Sequence, residues 1–248
     1  MVQPRHVSTG RNARAKMMVV AEPGIGKTRL AGTSPSGLII RPPTDHTDSI
    51  PENSECDEVV VETWQDMEDV YEALRHGGWK NSVTGKPYAW AWLDSISAWQ
   101  DFGVDEIFAQ AVERKPARAE YGPDKGEYGI NMQRIGRWVR QMCSLQDVNF
   151  GITAHPERIE DQDGDLLLMP YVVGKNMPQR IAGYMTIVAH LVVRRDNEGN
   201  DRRVLITKKD DKFYAKDQHG KLKPHMPDPT IPKIERALRG STAKKRQS

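Results

Sequence analysis

Lys16 to Leu30, KMMVVAEPGIGKTRL, leaves this chain fewer choices than any other stretch. The apolar run Met17 to Val20 leads into Ala21-Glu22-Pro23-Gly24-Ile25-Gly26-Lys27-Thr28, which fits a phosphate-loop pattern with Ala at the first Gly position. Gly24 and Gly26 can take positive φ, turning successive N–H groups into a concave anion site at a helix start. Glu22, Pro23, Gly24, Ile25, Gly26, Lys27, Thr28 and Arg29 are therefore the expected nucleotide-binding residues. Lys27 would reach the β- and γ-phosphates and the Thr28 hydroxyl would hold Mg²⁺. A plain glycine turn between strand and helix is the competing reading.

Strand, loop and helix starts in this order predict an α/β fold. Gly37 to Ile40 and Glu58 to Val61 read as the next strands. Thr63-x-x-Asp66 has capping-box spacing, and Met67, Val70, Tyr71 and Leu74 follow at helical period up to about Arg75, before Gly77-Gly78. Tyr88 to Asp94 is apolar on both faces, as in a buried parallel strand, with Trp90 and Trp92 in the core. A helix bearing Val104, Ile107, Phe108 and Ala111 comes next, then a mobile loop over 113–129, then a helix bearing Ile135, Trp138, Val139 and Met142. Asn149 to Ala154 is a further strand, ending at His155.

Beyond it the pattern turns to hairpins. Asp163-Gly164 joins Glu157–Ile159 to Leu166–Met169, and Asn197 to Asn200 joins Ile187–Arg194 to Arg203–Thr207, with a short helix over Pro178–Tyr184 between the hairpins. The expected architecture is a mostly parallel sheet flanked by helices, extended by antiparallel strands at one edge. Residues 16–216 form the core, 1–15 a flexible basic arm and 217–248 a basic Pro/Lys-rich tail with one amphipathic turn at Ile231 to Leu238.

Charge sharpens the picture of the ends. Residues 1–16 hold four Lys/Arg and no acid, and residues 221–248 hold eight Lys/Arg against Asp228 and Glu235, although the whole chain carries only +2. Basic ends on an acidic body suit a polyanion partner, and suit solvated tails equally well. No apolar run approaches the roughly eighteen residues of a membrane span, and Cys56 and Cys143 are too few for a disulfide framework. A cytoplasmic protein with no membrane partner is expected.

Mg²⁺ beside a γ-phosphate wants an acid at the end of a neighbouring buried strand, and Asp94 is the candidate, a helix cap being its other use. His155 closes the next strand, where a polar side chain can sense the γ-phosphate.

AEPGIGKT, WAWLDSIS, FGITAHPE and the run Arg180 to Arg195, in this order and at these separations, resemble the RecA-like P-loop ATPases. Nearest among them are the phage AAA-type nucleotide-binding proteins that serve as RecA-type single-strand annealing recombinases. The resemblance covers roughly residues 16–210. It implies ATP and Mg²⁺ as cofactors, a RecA-like core, a phage protein working in a bacterial host, and self-assembly into a filament or ring on single-stranded DNA, with a single-strand binding protein as a further partner. It assigns catalytic roles to Lys27, Asp94 and His155, and the metal to Thr28 and Asp94.

Residues 113–129 and 156–178 fall where the family's two DNA-facing loops lie, making Arg114, Lys115, Arg118, Lys125, Arg158, Lys175 and Arg180 the DNA-binding candidates, with Tyr121, Tyr128 and Tyr171 for stacking. Acids balance the bases in the first of these loops. Lys208 falls near the basic residue that reaches a neighbouring subunit's nucleotide. The family's glutamate after the second strand is missing: Arg41-Pro42-Pro43 stands there, leaving Asp45 or Asp48, and less well Glu62, to orient the attacking water. A ring-forming helicase loader or motor and a nucleotide-gated interaction protein remain alternatives. A small-molecule kinase would need a lid with paired arginines, which the sequence does not offer.

Overall fold

The computed structural model describes residues 14–160, 164 and 166–240. The expected arm up to residue 13, the Asp163 turn and the last eight residues of the expected tail lie outside the described residues.

The core is a mixed sheet of nine strands. Its path runs β11 (His225–Pro227), β9 (Asp201–Ile206), β8 (Ile187–Arg195), β1 (Lys16–Val20), β5 (Asn149–Ala154), β4 (Trp90–Leu93), β2 (Gly37–Arg41) and β3 (Cys56–Val60), with β10 (Lys216–Asp217) pairing β8. From β8 to β3 all neighbours are parallel, and β9, β10 and β11 add antiparallel pairs on the other side. After Lys16, β1 is apolar because it lies inside the sheet, between β5 and β8, with both faces covered.

Alternation along the strands divides two cores. Met18, Val20, Leu38, Ile40, Leu93, Phe150 and Ile152 face helices α2 (Trp64–Arg75), α3 (Ile96–Arg114), α4 (Lys125–Ser144) and α5 (Met177–Tyr184). Met17, Val19, Ile39, Trp90, Trp92 and Leu191 face α1 (Lys27–Ala31) and α6 (Ile231–Arg239). Trp90 and Trp92 are fully buried and stacked, centroids 5.3 Å apart, with Trp92 lying across Gly151, where a Cβ would collide with its ring. The capping box opening α2 is formed: the Thr63 side chain accepts from the Asp66 N–H and the Asp66 carboxylate accepts from the Thr63 N–H.

One expectation about these elements is corrected. The segment 113–129 is no open loop. α3 runs to Arg114, a 3-10 turn covers Pro116–Glu120, and α4 starts at Lys125, where Asp124 and Glu127 make a capping box. Arg118 ties the connection together with ion pairs to Asp124 at 3.1 Å and Glu127 at 2.9 Å. The charges of Arg118, Asp124 and Glu127 are thus spent within the chain.

Lys16, the first residue of the expected core, opens β1. Its ammonium is buried and donates to the carbonyls of Leu145 and Val148 at 3.0 and 2.9 Å, and burial lowers its pKa to about 8. The amphipathic turn expected at Ile231 to Leu238 is α6, and the chain after residue 216 packs. β11 pairs β9, and α6 buries Ile231 and Ile234 completely against the α1 side of the sheet. The strong amphipathic spacing of IPKIERAL is what a helix laid on a core requires.

Beyond the sheet, β6 (Pro156–Glu160) and β7 (Leu166–Pro170) form a separate antiparallel hairpin. It leaves the carboxyl end of β5 directly.

Candidate nucleotide site

The loop after β1 closes over the carboxyl edge of the sheet. Gly24 and Gly26 have φ of 77° and 106°, so both glycines are needed for the backbone path. α1 begins at Lys27, leaving the first-turn N–H groups of Lys27 and Thr28 with no acceptor four residues earlier inside the helix. These amides, with the Lys27 ammonium, would make the anion-binding half of the candidate site.

Lys27 is 8% exposed; its Nζ donates to the Ala21 and Glu22 carbonyls at 2.8 and 3.2 Å and lies 3.4 Å from His155 Nδ1. Burial lowers its pKa, with Asp94, Asp45 and Glu22 opposing. His155 is likewise pushed below the usual imidazole value, by burial first and by the Lys27 charge second, so its ring is neutral at pH 7 and can accept from Lys27.

Thr28 Oγ1 donates to Asp94 Oδ2 at 2.6 Å, and Thr153 on β5 donates to Asp94 Oδ1. Asp94 is 4% exposed, and burial raises its pKa against the pull of those two hydroxyls and of Lys27. Its strand is not the neighbour of β1, as the sequence reading supposed. β5 stands between them, and Thr153 fills the gap. A hydroxyl near the end of the apolar strand NFGITA was the available signal for Thr153.

Asp45 is brought into the same pocket. Its carboxylate accepts from the Ser95 N–H at 2.9 Å and Ser95 Oγ at 3.2 Å. Arg41 fixes the bend that delivers it, donating to the Asp45 carbonyl at 2.8 Å while paired with Glu58 at 2.8 Å. Asp48 and Glu62 are exposed; Glu62 follows the edge strand β3, far along the sheet order from β1.

The oxygens present fit Mg²⁺, which commonly takes one or two protein oxygens and completes its shell with phosphates and water. Thr28 and Asp94 would hold it, and it would supply charge neutralisation at the phosphates. Among the described residues no group of three or more His, Cys, Asp or Glu could hold a metal ion.

Asp94→Asn separates stability from function. The folded-state pKa of Asp94 is raised, so its favourable contribution is complete below the unfolded carboxylate value and is lost as pH rises through the folded one. Burial makes the ionised carboxylate costly in the ligand-free chain. Asp94→Asn is expected to raise the ligand-free melting temperature at pH 7, with the gain shrinking towards about pH 4, and to abolish the further rise on adding ATP and Mg²⁺. Scanning fluorimetry at both pH values checks this; a lower ligand-free melting temperature at pH 7 would refute it.

The DNA candidates fare unevenly. Arg114, Lys115, Lys125, Arg158, Lys175 and Arg180 are exposed, and Arg180 Nε donates to the Tyr184 hydroxyl at 3.0 Å. Arg118 is engaged by Asp124 and Glu127, as described, which takes it from the set of free cations. Tyr121 is 78% exposed and Tyr128 39%. Lys208 lies exposed just after β9, and Arg29 is exposed on α1.

Sequence reasoning missed Arg203. Its Nε donates to the Ile25 carbonyl at 2.7 Å, and nothing in the run Asp201-Arg-Arg-Val204 distinguishes it.

A family model described as an AAA domain matches residues 13–219. No curated protein matches the chain. Among the described residues no helix is long and apolar enough to cross a membrane.

Proposed function

Because this chain belongs to the AAA domain family of P-loop ATPases, whose members bind and hydrolyse nucleotide, we propose that it is an ATP- and Mg²⁺-dependent recombinase that binds single-stranded DNA as a multimer and promotes strand annealing. One observation supports the coupling of nucleotide to DNA. Ser97 Oγ accepts from the His155 N–H at 3.0 Å and donates to the Tyr171 carbonyl at 3.2 Å, joining both feet of the β6–β7 hairpin beside Lys27. Tyr171 N–H also donates to the His155 carbonyl at 2.7 Å.

Lys27 exchanges its two loop carbonyls for phosphate oxygens when ATP binds. His155 then loses a donor at Nδ1, and its hairpin, hinged on Ser97, settles into the DNA-binding position. Asp45, held by Ser95, orients the water that attacks the γ-phosphate. Arg158 on the hairpin and the exposed bases around α4 and α5 take the DNA backbone.

The test is ATP turnover with and without single-stranded DNA, on wild type and Asp45→Asn. DNA is expected to stimulate the wild type, with an affinity that falls steeply with salt. Asp45→Asn is expected to lower turnover about a hundredfold with nucleotide affinity intact. A chain that stays monomeric with ATP and single-stranded DNA, and whose turnover ignores DNA, refutes the recombinase while leaving the ATPase standing. A nucleotide-gated interaction protein is the second reading, favoured by Leu166, 60% exposed at the start of β7, and by the engagement of Arg118.

A further inference from the structure

We infer that Arg203 is a positioning residue of the nucleotide site, bracing the outer face of the phosphate loop through the Ile25 carbonyl and adding a fixed positive charge to the approach of a polyphosphate. The inference rests on the nucleotide-binding reading above.

The geometry begins with strand length. β8 pairs β1 only as far as His190, opposite Val20, and continues with β9 to Arg195, opposite Asp201. The two strands therefore overshoot the carboxyl edge of the sheet alongside the phosphate loop. Arg203, opposite Val193, sits in this overshoot. Its guanidinium crosses to the loop, where Nε meets the Ile25 carbonyl at 2.7 Å. A Cβ on Gly26 would come within 2.8 Å of the same Nε, so the absence of a side chain there serves this contact as well as the positive φ.

The brace has a rigid anchor. β9 is an interior strand, flanked by β8 and β11, and the Asp228 N–H donates to the Arg203 carbonyl at 2.8 Å. The neighbouring Arg202 is held by Asp196 at 2.8 Å and Asp228 at 3.1 Å, which leaves Arg203 as the arginine of this pair directed to the loop. A carbonyl held from outside keeps the N–H groups of the next peptides turned inward, so less order has to be imposed when phosphate arrives. A guanidinium is permanently charged, and at the rim of an anion site that charge favours polyphosphate entry.

The experiment measures the dissociation constant of a fluorescent ATP analogue across a salt series, for the full chain and for Arg203→Ala, Arg203→Gln and Arg203→Lys, with ligand-free melting temperatures. Arg203→Ala is expected to weaken binding about tenfold and flatten the salt dependence, with the ligand-free melting temperature nearly unchanged. Arg203→Lys should restore the salt slope, and Arg203→Gln, which keeps a donor for Ile25 but no charge, should recover affinity at high salt only. Tight wild-type binding that Arg203→Ala leaves within about twofold overturns the inference alone. So does an affinity loss that neither Lys nor Gln relieves and that tracks a fall in melting temperature, because that marks a purely structural role. Absence of wild-type binding overturns the nucleotide reading and this inference with it.

Discussion

Replacing Lys27 by alanine is expected to lower ATP turnover at least about a hundredfold, the loss typical when one preorganised charge or donor is removed from a developing anion. Lys27 is the ammonium of the pocket, held beneath the loop by two carbonyls and next to His155. Its burial lowers its pKa, so charge is costly there until phosphate arrives, and the ammonium then gains a partner it lacks in the ligand-free chain. Alanine removes the ammonium and leaves Asp94 and Asp45 facing phosphate with less compensation. Binding and turnover should fall together, and any DNA response should lose its dependence on nucleotide. Steady-state hydrolysis and equilibrium titration check this; turnover near the wild-type rate would mean that the loop is not the catalytic site.

Loss of α6 is the second large effect. Ile231 and Ile234 are fully buried with Leu30, Ala31 and Trp90 in one core. Polar contacts pin the helix from both sides: the Ile231 N–H donates to Thr33 Oγ1 at 2.8 Å and Trp90 Nε1 donates to Glu235 at 2.8 Å. Each Ile→Ala change in such a setting costs about 2–5 kcal/mol, and the pair falls somewhat short of additive because the residues are neighbours. A total of about 3–8 kcal/mol is a large share of a domain's roughly 5–15 kcal/mol. Ile231→Ala/Ile234→Ala should therefore lower the melting temperature by roughly 10 °C or more. Cutting the chain after Asp228 should do at least as much and weaken nucleotide binding too, since α6 backs α1, the helix that carries Lys27 and Thr28. A truncated chain that melts with the full-length protein would show that the C-terminal segment is dispensable.

Much of the first half of the chain was legible because its signals are local. The glycine loop, the Thr63–Asp66 capping box and the apolar strands each involve residues a few positions apart, and each formed where expected. The segment 113–129 was misread for a physical reason. Pro116, Gly122 and Pro123 look like loop punctuation, yet Asp124 and Glu127 cap a helix there and Arg118 closes the connection with two ion pairs. In the tail the amphipathic spacing of Ile231 to Leu238 was legible, but its basic, Pro-rich composition says little about where two isoleucines three residues apart find a core.

By itself the sequence determined what short-range stereochemistry can determine: which stretches are strands, where a phosphate could be cradled, and that Thr28 and Asp94 belong to one oxygen site. The tertiary structure alone decided which strand stands between them, that Thr153 and Ser97 bind the pocket together, and that β8 and β9 extend far enough for Arg203 to meet Ile25. Those contacts join residues from 58 to 178 positions apart. They depend on strand order and overshoot, which are set by how all the layers pack at once and leave no mark in any window of neighbouring residues.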